Sequence, residues 1–262
     1  MFRHKIARKL VRRAGQAALA LVLSLSPAVA QDGAPRLVTL LGIGSAAVAP
    51  NRSAFAVLSY SSRSDVGGSF VAADDGSAGL GYVLGDAGSG VGLQFGANFT
   101  GLGADPNFSG FGPGQSGYFS LQAARLIGSK VPTFVALSVD HLASWGRANS
   151  TPPAVSAMVT LFPTATLGDQ SYPLMLTFGI GNHIRNAGND PGAFAGIGMG
   201  LTPNFGASVA WTGETVTIGG TYKNDALQNW NFSAQLDDAF NQKNSRRVTI
   251  SATVLFENAF GG

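Results

Sequence analysis

The sequence predicts an all-β chain closed as an antiparallel up-and-down transmembrane β-barrel of about 12 strands, with 10 and 14 as the neighbouring counts. Three observations carry this prediction. Apolar residues alternate with small or polar ones nearly to the end of the chain, the first thirty residues have the layout of an export signal, and no later segment holds 18 consecutive apolar residues. A helical crossing is therefore not expected. Strands that cross a bilayer must close on themselves, because every backbone N–H and C=O needs an internal partner there.

The alternation is clearest from Val91 to Phe99. Val91, Leu93, Phe95, Ala97 and Phe99 form an apolar parity, and Gly92, Gln94, Gly96 and Asn98 a small or polar one. Successive strand side chains point to opposite faces, so this segment has one greasy and one polar face. A soluble sandwich alternates in the same way. The export signal turns the reading toward a membrane.

That signal is read in three parts. Arg3, Lys5, Arg8, Lys9, Arg12 and Arg13 form a basic stretch without an acid, Ala17 to Leu25 is a short apolar run, and Ala28-Val29-Ala30 is a small-x-small cleavage site before Gln31. Residues 1–30 are thus expected to be a cleaved secretory signal peptide, and 31–262 the barrel. The rival reading is an uncleaved N-terminal anchor. The residues after Arg12-Arg13 do not support a twin-arginine route, and the absence of cysteine rules out a lipoprotein. The whole chain carries 17 Lys+Arg against 14 Asp+Glu; without the six signal cations, 11 face 14, a formal −3. A nucleic-acid partner needs a basic face, so none is expected.

Composition agrees. Charged residues are 12% of the chain, about half the usual share for soluble domains. The 36 glycines fall inside strand-like segments as well as between them. Glycine weakens the interior of a soluble sheet, whereas on a lumen face it relieves crowding. Without cysteine there is no disulfide framework or thiol chemistry.

Strands are expected near 36–44, 53–61, 68–73, 77–84, 90–99, 117–126, 133–140, 154–162, 171–181, 192–201, 204–212, 215–222, 230–237 and 246–256. Many have the 9 to 11 residues that a tilted strand needs to cross. The segments 36–44 and 68–73 are the weakest of the fourteen, hence the count of about 12. Alternation is good through Tyr172, Leu174, Leu176, Phe178 and Ile180, through Phe205, Ala207, Val209 and Trp211, and through Val248, Ile250, Ala252, Val254 and Phe256. Thr249, Ser251 and Thr253 lie between the last set and suit a wet interior. No 3.6-residue period appears beyond the signal. Short connections carry turn chemistry at Asp74-Asp75-Gly76, Gly85-Asp86-Ala87-Gly88, Thr202-Pro203-Asn204 and Thr212-Gly213-Glu214. Longer ones run over 101–116, 141–153, 182–192 and 223–229, and the two classes do not alternate cleanly. Tyr60, Tyr82, Phe99, Tyr118, Tyr172, Trp211, Tyr222 and Trp230 sit near strand ends, where an interfacial girdle would lie.

With these features the chain resembles bacterial outer-membrane β-barrel proteins as a class, over its whole mature length. The resemblance implies residence in the bacterial outer membrane, contact with its lipids and passage through the barrel-assembly machinery, which reads a terminal strand ending in an aromatic. Val248 to Phe256 has that alternation, but Glu257-Asn258-Ala259-Phe260 and Gly261-Gly262 follow, so either Phe256 or Phe260 is the closing aromatic. The stretch from Trp211-Thr212-Gly213-Glu214 to Gly219-Gly220 also resembles hairpins of barrels associated with exopolysaccharide export, which implies an envelope polysaccharide as a partner.

No catalytic set emerges. His141 and His183 are the two mature histidines, and both are expected at strand–loop junctions. Asp140-His141 imitates a carboxylate–histidine pair, but neighbours on a strand face opposite sides. No Gly-x-Ser-x-Gly accompanies them, and Asp237-Asp238 reads as the start of a loop. Gly196-Ile197-Gly198-Met199-Gly200 lacks the helix that a phosphate loop needs. Arg185, Asn186, Asn189 and Asp190 read as a solvated loop, and no His/Asp/Glu cluster has metal-ligand spacing. The expectation is therefore a barrel without catalytic, metal or cofactor residues, acting as a narrow pore for small solutes or in an envelope-associated structural, assembly or transport role. Two alternatives stay open: a secreted or periplasmic β-sandwich that binds a ligand or partner, and a hydrolase in the barrel wall, for which His141 or His183 would have to meet a serine or carboxylate. Nothing in the sequence sets the oligomeric state.

Overall fold

A computed structural model describes residues 36–62, 75–102, 115–128, 130–227 and 229–260. The expected export signal, the expected strand at 68–73 and Asp74 lie outside them. The described strands are β1 (Ala54–Ser61), β2 (Asp75–Leu84), β3 (Gly92–Thr100), β4 (Gly117–Gly128), β5 (Thr133–Asp140), β6 (Ser144–Trp145), β7 (Ala154–Leu161), β8 (Thr164–Leu167), β9 (Gln170–Arg185), β10 (Asp190–Gly200), β11 (Phe205–Trp211), β12 (Val216–Lys223), β13 (Trp230–Asp237) and β14 (Arg247–Phe256). A single 3-10 turn, Gly146–Ser150, interrupts them.

Twelve strands form the wall: β1–β5, β7 and β9–β14, each antiparallel to its chain neighbours in the wall. The first and last strands pair through eight residues, from Ala54 opposite Phe256 to Ser61 opposite Thr249, and this closes the barrel. Closure leaves no open sheet edge in the wall. β6 pairs with β4, and β8 folds back on the start of β9. Phe256 ends β14; Phe260 instead packs edge-on against Tyr82, with ring centroids 5.3 Å apart.

The two rims differ. Where β1 begins and β14 ends, the connections are 85–91, 129–132, 162–169, 201–204 and 224–229, and most are short; we call this the chain-end rim. The far rim carries the connections 141–153, 186–189, 212–215 and 238–246, and the chain also leaves β1 and β3 and enters β2 and β4 at this rim. The apolar parity faces outward and is exposed: Leu137 is 63% accessible, Leu58 60% and Phe178 52%. Of the aromatics expected in a girdle, Tyr60, Tyr82, Phe99, Tyr172, Trp211, Tyr222 and Trp230 lie on this parity near strand ends, whereas Tyr118 is buried and faces inward; Phe95 and Phe178 stand in mid-wall.

Three sequence expectations are corrected. Residues 36–44 form no strand; they run irregularly through the barrel interior and are almost entirely buried. The expected loop over 182–192 shrinks to 186–189, because β9 and β10 continue as a hairpin beyond the wall with Asp190 opposite Arg185. Asp75-Gly76 is not a turn, since both residues pair with Ser61 and Tyr60 of β1.

Candidate functional site

The interior holds the features that bear on function. Residues 36–52 enter at the chain-end rim, fold back inside and return to the same rim. Arg36 donates to the Leu201 carbonyl and to Gln170 Oε1 at the entrance, and the Leu37 N–H donates to the Thr202 carbonyl. Thr39 Oγ1 and Thr221 Oγ1 bond at 2.8 Å, and the Leu41 N–H donates to Ser208 Oγ at 3.1 Å. The apex is at Gly42 (φ +85°), where an added Cβ would lie 2.7 Å from Thr217 Cβ. On the way out, the Ala46 N–H donates to Thr160 Oγ1 at 2.9 Å and Gln122 Nε2 donates to the Ser45 carbonyl at 2.9 Å. The Arg52 N–H finally pairs with the Val83 carbonyl.

The glycines of β10 explain how the segment fits. Gly198 lies against the Thr39 carbonyl so closely that no Cβ could be placed between them. The Gly196–Gly200 run is therefore a docking floor for backbone rather than a phosphate loop. Leu40, at 0% accessibility, packs with Val38, Ile43, Met158, Met175 and Phe194 into one apolar cluster inside the barrel. Each such large side chain contributes about 1.5–3 kcal/mol relative to leaving it in a wet lumen.

The segment divides the interior. Along β7, β9, β11 and β12 five inward hydroxyl residues are sealed against it: Thr160, Thr177, Ser208, Thr217 and Thr221 are all at most 5% accessible. Sequence reading placed the whole small-and-polar parity on a wet wall; on this side the apolar segment displaces that water. Around β13, β14, β1, β3 and β4 a set of inward polar side chains keeps partial access, although Phe55, Val57, Ser61, Asn98, Tyr118 and Ala124 on the same parity are buried. Here Gln94, Ser120, Gln122, Asn231, Ser233, Gln235, Thr249 and Ser251 line a hydroxyl and amide surface. Ser59 Oγ bonds Ser251 Oγ at 2.8 Å, and Ser61 Oγ bonds Thr249 Oγ1 at 2.9 Å. Gln94 Oε1 and Asn231 Oδ1 are shielded from solvent and have no hydrogen-bond partner. Near the far rim the same surface carries an ion pair, Arg247 Nε to Asp237 Oδ2 at 3.4 Å. That carboxylate also accepts from Thr217, Gln235 and Thr249.

Three far-rim connections are tied together. Glu214 accepts from the Asn186 and Ala187 N–H groups and pairs with Lys243 Nζ at 3.2 Å. Asp237 still belongs to β13, and the last connection starts at Asp238, which is buried and accepts from the N–H groups of Gln242, Lys243 and Ser245 and from Ser245 Oγ. Burial pushes the Asp238 carboxyl up, but these hydrogen bonds outweigh it and hold the group below its ordinary value. Glu214 shows the same balance: burial raises it, and the Asn186 and Ala187 N–H groups and Lys243 bring it lower.

The histidines do not assemble a catalytic set among the described residues. His141 sits in the loop after β5 with φ +55° and stacks on Tyr118 at 3.9 Å between centroids. Burial, and then the charge on His183, hold its imidazole below the usual value. Ser144 Oγ approaches His141 Nδ1 at 3.4 Å, a long contact with no carboxylate bonded behind the ring. His183 lies within β9 rather than at a junction, and its Nδ1 donates to the Gly188 carbonyl. No group of three or more potential metal ligands occurs among the described residues.

No family model matches the chain, and no curated protein is significantly similar to it. Among solved structures the chain is similar to an outer membrane channel from Pseudomonas putida F1, at 15% identity over 82% of this chain and 100% of that one, with a TM-score of 0.48. It is also similar to the outer membrane protein Omp33 of Acinetobacter baumannii, at 10% identity over 78% of this chain and 98% of that one, with a TM-score of 0.45. A further similarity is to CdiB from the same organism, at 11% identity over 80% and 61%, with a TM-score of 0.33.

Proposed function

We propose that this protein is an outer-membrane channel of narrow bore for small, uncharged polar solutes. The observation that carries the reading is the divided interior: one side is packed shut around residues 36–50, and the other is a partly accessible surface of hydroxyls and amides. Barrels of about eight strands fill with side chains and those of 16 or more leave a channel. A barrel of twelve strands falls between these limits, and the inward segment takes up part of the difference.

An exposed apolar outer wall supports the membrane reading, because a sandwich would bury that parity between two sheets. With the shorter turns on the periplasmic side, the chain-end rim faces the periplasm and the inward segment enters from there. Among the described residues this surface is mostly hydrogen-bonding groups, with the Arg247–Asp237 ion pair near the far rim balancing its charges, which favours neutral solutes over ions.

Fractionation and reconstitution test this. The protein should require detergent for extraction from outer membranes, run with heat-modifiable mobility, give small conductance steps in planar bilayers and admit small neutral solutes in liposome-swelling assays. Release into the soluble periplasmic fraction without detergent overturns the membrane reading. A folded, inserted barrel with neither conductance nor swelling overturns the channel.

A further inference from the structure

The outer wall is not uniformly filled. A hollow of about 850 Å³ lies across β4, β5, β7, β9, β10 and β11, and its lining is almost wholly apolar. Two cross-strand rows border it. One runs Arg125, Val135, Val159, Phe178, Ala195, Trp211, and the other Ala123, Leu137, Ala157, Ile180, Ala193. Backbone at Ala124, Ala136, Met158 and Gly179 forms the floor between them. Five strand spacings make the first row roughly 24 Å long. The row climbs from the chain-end part of β4 to the far end of β11, so the hollow is inclined along the wall rather than level with a rim.

Arg125 stands at the low end of this hollow. It is exposed, and it is the one charged side chain on the outward parity of β1–β5, β7 and β11–β14 among the described residues. No described acid pairs with it. A lone arginine on a lipid-facing wall is tolerated near an interface but is costly deeper in the bilayer. Its position three residues before the end of β4 lets its stem lie along the hollow while the guanidinium reaches headgroup level. Guanidinium suits phosphate through paired N–H donors.

We infer that the hollow is a binding site for one glycerophospholipid of the periplasmic leaflet, with its phosphate on Arg125 and an acyl chain lying between the two rows. The site rests on the outer-membrane reading above. The cation fixes the headgroup and the alanines make room for the chain, while Leu137, Phe178, Ile180 and Trp211 stand up around it. This combination selects a phosphate-bearing lipid over a detergent or a neutral lipid.

Native mass spectrometry of the full protein, extracted in mild detergent and exchanged into nanodiscs of phosphatidylethanolamine and phosphatidylglycerol, tests the site. Wild type, Arg125→Gln and Ala157→Phe are first compared for outer-membrane fractionation and heat-modifiable mobility. A wild type that fails those checks overturns the membrane reading and the site with it. With all three inserted and folded, the site predicts one phospholipid retained by wild type after annular lipid is stripped. Retention should fall about fivefold in Arg125→Gln, the weight of one cation beside anionic lipid, and be lost in Ala157→Phe. Equal retention by all three, or none by wild type, overturns the site while leaving the barrel in the membrane. A change of oligomer mass in Ala157→Phe without lipid loss would assign the hollow to a second copy of the chain and also overturns it.

Discussion

Gly42 lies against Thr217: an added Cβ at Gly42 would stand 2.7 Å from the threonine Cβ, and the residue has φ +85°. The apex of the inward segment is thus fixed on β12 by the lack of a side chain and by a backbone conformation that favours glycine. Substitution Gly42→Val imposes both a clash and a strained φ, a cost of order 1–3 kcal/mol for the backbone alone. It should free residues 36–50 for proteolysis, lower the temperature at which heat-modifiable mobility is lost and raise single-channel conductance. Unchanged protease resistance would show that the apex tolerates a side chain.

Thr160 Oγ1 accepts the Ala46 N–H and bonds Thr177 Oγ1 at 2.7 Å. Thr160→Val keeps the shape but strands a buried N–H, at about 1–3 kcal/mol. Thermal unfolding should shift down accordingly, whereas Thr249→Val, on the accessible side, should shift it far less. Equal shifts would contradict the division of the interior.

The far-rim ties depend on pH in a defined direction. Asp238 and Glu214 both have folded values below their ordinary 3.8 and 4.5. Their contribution is therefore complete above those ordinary values and is lost as pH falls through the lower folded ones. Hydrogen exchange in 186–189 and 239–246 should be slow and flat from pH 7 to about 5, after allowance for intrinsic exchange, and gain openings as pH drops below about 4. Glu214→Gln should weaken the ties at neutral pH. Protection that improves on acidification would reverse the sign and contradict the assignment.

Asp237 balances Arg247 on the partly accessible inner surface, so in the proposed channel Asp237→Asn would leave an unbalanced cation there. The reversal potential in a salt gradient should move toward anion preference, and Arg247→Gln should move it toward cations. If neither variant shifts it, ions do not pass this surface.

How much of this was legible in the sequence follows from the same residues. β3 and β14 announced themselves because one face meets the apolar exterior and the other the interior, and that asymmetry is the two-residue alternation. Leu37-Val38-Thr39-Leu40-Leu41 is buried on all sides, so it shows no period, and an apolar run of that length reads equally as a strand. Its inward course depends on glycines of β10 and β11 more than 150 residues away, which only the closed barrel brings near. The ends of β9 and β10 were hidden for the opposite reason: beyond the wall both faces are solvated, and Asn182 to Asp190 has the composition of a loop. The hollow beside Arg125 depends on cross-strand register, which a linear reading does not supply.

Because the chain has no cysteine, a single introduced thiol reports without background. The most direct test is single-channel current through Ser251→Cys and Ser208→Cys before and after a charged methanethiosulfonate reagent. Ser251 lies on the accessible side, and Ser208 is 5% exposed and bonded to the inward segment. A stepwise fall in current for Ser251→Cys with none for Ser208→Cys is the predicted result. Equal block at both sites, or block at Ser208→Cys alone, would contradict a bore that runs along β13, β14 and β1 beside residues 36–50.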